Sequence, residues 1–281
     1  CAAQATAALN QLRAGGLDLQ VHFTERAGHA SEIARAEHQK GARHFITVGG
    51  DGTSFEVVNG LFPRDNEDPL RLGFLPLGTG NSFIRDFGLT CAEEAIQALL
   101  RGNTTRCDVV KVAHARGELH YINLMSVGFS AKVGALTNRR FKRFGAAGYA
   151  LAVGASVLGL EQPRYTMSVD KGPEDARPCT LLSFSNSRYT GGTMMMAPTA
   201  DLSDGAVDII RIGELSRLGL LRAFPKIYQG THVRLSQVET GLAREIVFHG
   251  QGAVDCMIDG EILSLELRSL EVMEGALEVV A

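Results

Sequence analysis

Residues 44–60 read HFITVGGDGTSFEVVNG. An apolar run from His44 to Val48 breaks at Gly49-Gly50-Asp51-Gly52-Thr53, and a helical pattern then runs from Ser54 to Leu61. This predicts strand, glycine turn, helix. Glycines without Cβ atoms adopt positive φ readily and let backbone approach a ligand. Consecutive N–H groups in such a turn form a concave nest for anions, and the start of the helix adds partial positive charge. Phosphate is the natural guest. The bland alternative is a plain strand-to-helix turn, for which one glycine would serve. Asp51 is awkward beside bare phosphate, because like charges repel. It makes sense with a divalent cation between carboxylate and phosphate, or if it orients the loop or the hydroxyls of a nucleotide.

A second stretch echoes the first. In residues 72–83, LGFLPLGTGNSF, the apolar run Leu72 to Leu75 ends in Pro76-Leu77-Gly78-Thr79-Gly80-Asn81, and a helical stretch follows. Two such loops on neighbouring parallel strands would lie side by side at the carboxyl edge of one sheet, where open α/β sheets bind ligands. Together they resemble the diacylglycerol-kinase-like catalytic domain shared by soluble bacterial lipid kinases, sphingosine kinases and ceramide kinases. In that family GGDGT is followed by a Glu-Val…Asn-Gly tail, matched by Glu56, Val57, Asn59 and Gly60. Its P-x-G-T-x-N loop is matched by Pro76, Gly78, Thr79 and Asn81.

Composition sets outer bounds. The 281 residues are enough for two modest domains, and 45% hydrophobic with 21% charged is ordinary for a globular protein. A net charge of −3 gives no argument for nucleic acid. Five scattered cysteines (Cys1, Cys91, Cys107, Cys179, Cys256), with no CxxC spacing, point to a reduced cytosolic protein rather than zinc or a disulfide framework. The longest apolar run, Ala146 to Leu160, falls short of the roughly 20 residues of a membrane span.

The chain opens at Cys1, directly in a helical pattern. The resembling family starts with a strand ending in N-P-x-[SG]-G, whose loop also touches nucleotide phosphate. Trimming is the expected explanation for its absence, since a gap in the sheet would strand backbone groups.

In chain order, we expect a helix over 2–14, a strand at Leu19 to Phe23, and a helix from Ala27 to Lys40 stopped by Gly41. The two glycine loops follow, then a helix at Ala92 to Leu100. Alternating strands and helices specify a parallel sheet. Beyond Gly102 the texture changes. Strands are expected at Thr105 to Ala113 and Glu118 to Phe129, helix over most of Lys132 to Leu160, and strands at Tyr165 to Val169, Cys179 to Ser185, Ala206 to Ile212, Glu245 to His249 and Ala253 to Ile258. One helix, Arg217 to Ile227, interrupts them. The expected architecture is a Rossmann-like α/β domain over 1–112, with 273–281 returning to it as in the family, and a β-rich sandwich over 113–272, with the active site in the cleft between them.

Four further stretches bear on chemistry. Asp201-Leu202-Ser203-Asp204-Gly205-Ala206 is an acidic loop that could hold a hard cation or simply form an Asp-Gly turn. Asp259-Gly260-Glu261 is by itself a common β-turn; phosphoryl transfer to an alcohol does need a carboxylate to accept the hydroxyl proton. Met194-Met195-Met196, inside Asn186 to Pro198, could line an acyl pocket or fill a core. Arg139 to Arg143 could meet anionic headgroups or be a solvated helix face.

The resemblance implies more. ATP would lie across Gly49, Gly50, Asp51, Gly52, Thr53 and Gly78, Thr79, Asn81, with Glu56 and Thr24 as further contacts; Thr24 to His29 matches the family's T-E-x-x-G-H segment, though it also reads as a loop and helix cap. Mg2+ would be held by the Asp204 carboxylate and the backbone of Asp201 and Ala206. Glu261 would be the general base, with Asp259 the other candidate. The implied activity is an ATP-dependent lipid kinase acting on diacylglycerol or another lipid hydroxyl at a membrane surface, with a homodimer left open. NAD kinase, which also uses GGDGT, and a non-catalytic nucleotide- or lipid-binding module are the alternatives.

Overall fold

The computed structural model describes residues 2–64, 68–78, 80–137 and 145–281. The first part alternates helix and strand: α1 (Ala2–Ala14), α2 (His29–Gln39), β1 (His44–Gly49), α3 (Asp51–Leu61), β2 (Arg71–Pro76), a 3-10 turn (Phe83–Phe87) and α4 (Ala92–Arg101). The remainder is strand-rich. It comprises β3 (Thr104–His114), β4 (Gly117–Tyr121), β5 (Leu124–Gly128), β6 (Met167–Val169), β7 (Glu174–Asp175), β8 (Leu181–Ser185), β9 (Tyr189–Thr190), β10 (Met194–Met195), β11 (Val207–Ile212), β12 (Val238–Ala243), β13 (Glu245–Phe248), β14 (Val254–Ile258), β15 (Glu261–Leu265) and β16 (Leu267–Val280). Helices α5 (Phe129–Leu136), α6 (Gly145–Val157) and α7 (Arg217–Ala223) interrupt the strands.

Local chemistry explains the first part. In α4 the apolar residues Ala95, Ile96, Ala98 and Leu99 share one buried face, Glu94 caps its start at Cys91, and Gly102 ends it at φ 68°. Helices α2 and α3 approach so closely that a Cβ on Gly60 would sit 2.3 Å from the Ser31 carbonyl oxygen. β1 and β2 pair in parallel, His44 opposite Arg71. Leu12, Val58, Leu61, Leu72, Leu75, Leu277 and Val279 join one core around them.

One strand ties the two parts together. β16 runs parallel to β2 at its end, antiparallel to β3 along most of its length, and antiparallel to β13 near its start. The resulting sheet carries the order β1-β2-β16-β13-β6-β7, with β3 and β4 branching from β16. A second, antiparallel sheet has the order β12-β11-β8-β5-β14-β15. The sheets face each other over Val112, Tyr121, Met125, Leu182, Phe184, Ile246 and Ile258. The far side of the second sheet is covered by α5, α6 and α7, which explains why β8 and β11 are buried along their whole length. This is the α/β half plus β-sandwich expected from sequence.

Several elements differ from expectation. Leu19 to Phe23 forms no strand: among the described residues β1 pairs only with β2, so the segment finds no ladder partner, and Phe23 is exposed. The helix after the first glycine loop begins three residues early, at Asp51. The expected strand Glu118 to Phe129 is two strands, β4 and β5, which break at Ile122-Asn123 and enter different sheets. Over Lys132 to Leu160 the described helices are α5 and α6; Arg139 to Arg143 lie outside the described residues. The helix from Arg217 tightens to 3-10 geometry at Phe224, where Pro225 supplies no N–H.

Candidate active site

The two glycine loops touch. A Cβ on Gly78 would lie 2.5 Å from the Gly50 Cα and 2.6 Å from its nitrogen, and one on Gly50 would lie 2.6 Å from the Gly80 carbonyl oxygen. The N–H groups of Leu77 and Gly78 donate to the Gly49 carbonyl at 3.1 and 3.0 Å, and the Asp51 N–H returns a bond to the Gly80 carbonyl. The Asp51 carboxylate accepts the Ser82 N–H at 3.0 Å on both oxygens. Asp51 thus clamps the second loop. Burial raises its pKa, opposed by the Ser82 donors. Asn81 donates its amide to the Gly78 carbonyl at 2.9 Å. Thr79 lies outside the described residues.

The Gly52 N–H, second in α3, has no acceptor in its own helix and makes no bond among the described residues. It leaves a donor at the positive end of the helix dipole. Opposite it stands the sandwich: an ideal Cβ on Gly52 would be 2.6 Å from Glu261 Oε1. Glu261 is exposed and opens β15.

Asp259 occupies a different position. Asp259 and Gly260, at φ 46° and 88°, form the two-residue turn between β14 and β15. The Asp259 side chain is buried, and its oxygens accept the N–H groups of Ile122, Asn123 and Leu124 at 3.0 to 3.1 Å. It fastens the break between β4 and β5. Burial pushes its carboxyl up to about 7, the three N–H donors pull it down, and the Asp51 charge adds to the rise. The two late carboxylates thus separate: Glu261 faces the first glycine loop and Asp259 is an internal anchor.

Other expected residues lie around this centre or apart from it. Thr53 sits in the first turn of α3, its hydroxyl against Gly49. Glu56 reaches back to α2, accepting the N–H groups of Gly28 and Ala30 at 2.8 and 3.1 Å, and so holds the loop that carries the exposed Thr24. Asn59 bonds both the N–H and the carbonyl of His120 at 2.8 Å, docking α3 on β4. Asp201 accepts from the Ser203 N–H and Asp204 from the Ala206 N–H, both at 3.0 Å, as turn-forming side chains. Among the described residues no three His, Cys, Asp or Glu side chains converge as a metal site.

Contacts that the sequence did not show complete the cleft. Arg188 donates to Asp86 at 2.7 Å, and the Gly192 N–H donates to the Ser82 hydroxyl at 2.8 Å, joining the Asn186 to Pro198 stretch to the second glycine loop. Asn186 donates to the carbonyls of Asp108 and Ile122. Asp108 accepts the N–H groups of Gly205 and Gly275, both at 2.7 Å. The long sequence separation of these partners hides them from local reading.

An apolar cavity lies between the second sheet and the helices behind it, and opens to solvent. Its lining includes Met194, Met196, Leu220, Phe224, Ile227 and Met257. Met195 instead lies against the Gly230 turn. His232, also in the lining, bonds the Met196 carbonyl through Nε2, and its Nδ1 has no partner among the described residues.

The sequence matches known families in both parts of the chain. Residues 2–112 match the diacylglycerol kinase catalytic domain, and residues 123–281 match the YegS C-terminal NAD kinase beta sandwich-like domain. The chain belongs to the diacylglycerol kinase and YegS-type lipid kinase family. It is 29% identical over 276 residues to a diacylglycerol kinase of Mycobacterium tuberculosis, covering 97% of this chain and 88% of that protein. It is 28% identical to the "Probable lipid kinase YegS-like" protein of Chromohalobacter salexigens, covering 98% and 87%. A solved diacylglycerol kinase from Bacillus anthracis shares the fold, with a TM-score of 0.72, 22% identity, and coverage of 98% and 90%.

Proposed function

We propose that the chain is an ATP-dependent lipid kinase that transfers the γ-phosphoryl group to the hydroxyl of diacylglycerol or a similar lipid. One observation carries the reading: Glu261 of the sandwich stands 2.6 Å from the Cβ position of Gly52, at the head of α3. Phosphate belongs at that helix start, on the Gly52 N–H and the paired loops. The acceptor hydroxyl then attacks the γ-phosphorus, the bond to the bridging oxygen of ADP breaks, and Glu261 takes the hydroxyl proton. Asp259 is a positioning residue. It fixes the hairpin on which Glu261 is mounted, and its oxygens are already occupied by N–H donors.

The proposal includes Mg2+, which neutralises phosphate charge when bound. Asp204, with the carbonyls of Asp201 and Ala206, would hold one ion. This donor set is all oxygen, and the Asp204 carboxylate is exposed, which suits a hard cation. The same loop supplies the Gly205 N–H to Asp108, so an ion there would brace the junction of the two parts. We assign the division as 1–112 with 273–281, and 113–272.

The apolar cavity supports a lipid acceptor. It reaches Met257, whose strand partner Ile262 follows Glu261. Flexible methionines suit acyl chains of varied shape. No helix among the described residues is long and apolar enough to cross a membrane, so the substrate would be met at a bilayer surface.

Labelled ATP and Mg2+ should be incubated with diacylglycerol, a sphingoid base, phosphatidylglycerol and an acylglycerol, with NAD as a control acceptor. Label is expected in a lipid. Glu261→Gln should lower kcat by about 10²–10⁴-fold, the usual contribution of a positioned base, with unchanged melting. Label in NAD alone, or full turnover by the variant, would overturn the reading.

A further inference from the structure

The β9–β10 hairpin belongs to neither large sheet. Among the described residues its ladder is two pairs, Thr190 with Met194 and Tyr189 with Met195. Gly191-Gly192-Thr193 connects the strands, with Gly191 at φ 55° and Gly192 at φ 91°. A two-stranded ribbon of this size is not stable by itself, so what it docks against sets its position.

It docks in two directions. On one side Thr190 and Met194 line the apolar cavity, with Met196 just beyond β10. On the other side Arg188 and Gly192 hold the segment that follows the second glycine loop. Asp86, in the 3-10 turn after that loop, has a side chain only 3% exposed. Arg188 donates Nε to its Oδ1 at 2.7 Å, its backbone N–H to the same oxygen at 3.3 Å, and Nη2 to the Asp86 carbonyl at 3.1 Å. The Gly192 N–H donates to the Ser82 hydroxyl at 2.8 Å. Ser82 in turn gives its own N–H to both oxygens of Asp51, the residue that opens α3.

The spacing makes these contacts one unit. Arg188 stands two positions before Thr190, and Gly192 two before Met194. A shift of the cavity lining therefore reaches Asp86 and Ser82 through two residues of chain, and Asp51 through one further hydrogen bond. The guanidinium suits the task. Its planar fork bonds the side chain and the carbonyl of one residue together, which an ammonium on a flexible stem does not hold as rigidly. Burial disfavours the Asp86 carboxylate, and Arg188 offsets that penalty.

We propose that Arg188 is a positioning residue: with the Gly192 N–H it locks the β9–β10 hairpin to the second glycine loop, so that an acyl chain in the cavity and ATP across the loops strengthen each other's binding. This rests on the lipid-kinase reading for what fills the two sites, and adds that the hairpin couples them. An acyl chain against Thr190 and Met194 fixes the ribbon, and the fixed ribbon seats Arg188 and Gly192 on the loop. Bound nucleotide acts in reverse, since coupling between two binding sites is reciprocal.

Calorimetric titration of the full chain with the non-hydrolysable β,γ-imido analogue of ATP and Mg2+, with and without saturating dioctanoylglycerol, measures the coupling. The wild type is expected to bind the analogue about fivefold or more tightly when the acylglycerol is present. Arg188→Ala would leave a buried carboxylate uncompensated, so two gentler changes serve as probes. Arg188→Lys keeps the charge and loses the fork. Asp86→Asn with Arg188→Met removes both charges together. Each should melt cooperatively and lose most of the enhancement. Ser82→Ala, which removes the acceptor of the Gly192 N–H, should lose part of it. A merely structural role would shift the two titrations together and leave their ratio unchanged. A wild-type ratio of one, or an undiminished ratio in the folded variants, overturns the coupling. Phosphorylated lipid from a wild type without enhancement overturns the coupling and leaves the kinase reading standing. Enhancement without any phosphorylated lipid overturns the kinase reading and leaves the coupling standing.

Discussion

Gly78 and Gly80 are two residues apart in one loop and have opposite tolerance for a side chain. A methyl group on Gly78 would strike backbone atoms of Gly50 at 2.5 and 2.6 Å, and backbone on a packed loop cannot swing aside. On Gly80 the nearest atom is Asp51 Oδ2 at 3.7 Å, an ordinary contact. Gly78→Ala is therefore expected to cost about 1–3 kcal/mol by overpacking and to weaken ATP binding, and Gly80→Ala to change little. Thermal melts and calorimetric titration with ATP check both. Asp259 makes a pH prediction. Its native carboxyl is raised to about 7 from an ordinary value of 3.8, so the native state holds this proton more tightly than the unfolded chain. Its contribution is fully present below about pH 4 and is lost as pH rises through about 7. Asp259→Asn should remove that slope and, by setting an amide NH2 against N–H donors, cost about 1–3 kcal/mol. Melting from pH 4 to pH 8 measures both effects.

Among the elements, α7 has the most distinct division of labour. Ser216 caps its start, accepting the Gly219 N–H at 3.1 Å. Leu220 and Ala223 face the cavity, while Leu218 and Leu221 face outward. Ala223→Trp would fill cavity space without touching either glycine loop. It is expected to raise KM for long-chain acceptors and to leave ATP affinity and short-chain turnover unchanged. Assays across a chain-length series test this; equal effects on short and long chains would show that the cavity does not hold the acyl group. The β14–β15 hairpin works differently. Its Asp-Gly turn puts both central residues at positive φ, which matches the twist of paired strands, and the following residue is carried to the cleft.

For the molecule as a whole, β16 is the common member. Its first residues, Leu267 and Leu270, belong to the sandwich core, and its last, Leu277 and Val279, belong to the α/β core. Asp108 adds a second tie by accepting N–H groups from Gly275 and Gly205. The two parts should therefore unfold together. Leu277→Ala, at a site 1% exposed, is expected to cost about 2–5 kcal/mol and to lower one calorimetric transition rather than split it. Two resolved transitions would show that β16 does not couple the parts.

Sequence alone carried the two glycine loops, the alternation that specifies parallel strands, and the strand-rich second half, because each is written in contiguous residues. It also marked Asp259-Gly260-Glu261 as a turn, but not the direction of each carboxylate. That choice depends on Ile122 to Leu124, more than a hundred positions away, whose N–H groups capture Asp259 and leave Glu261 to face Gly52. The strand break at Ile122-Asn123 was hidden for the same reason, since a stretch with no glycine or proline from Glu118 to Val127 reads as one strand until its two halves find different sheets. Leu19 to Phe23 failed in the opposite sense: its residues suit a strand, but a strand exists only where a neighbour completes its hydrogen bonds. Local pattern thus determined which elements form around the loops, and tertiary pairing alone decided which side chains meet across the cleft.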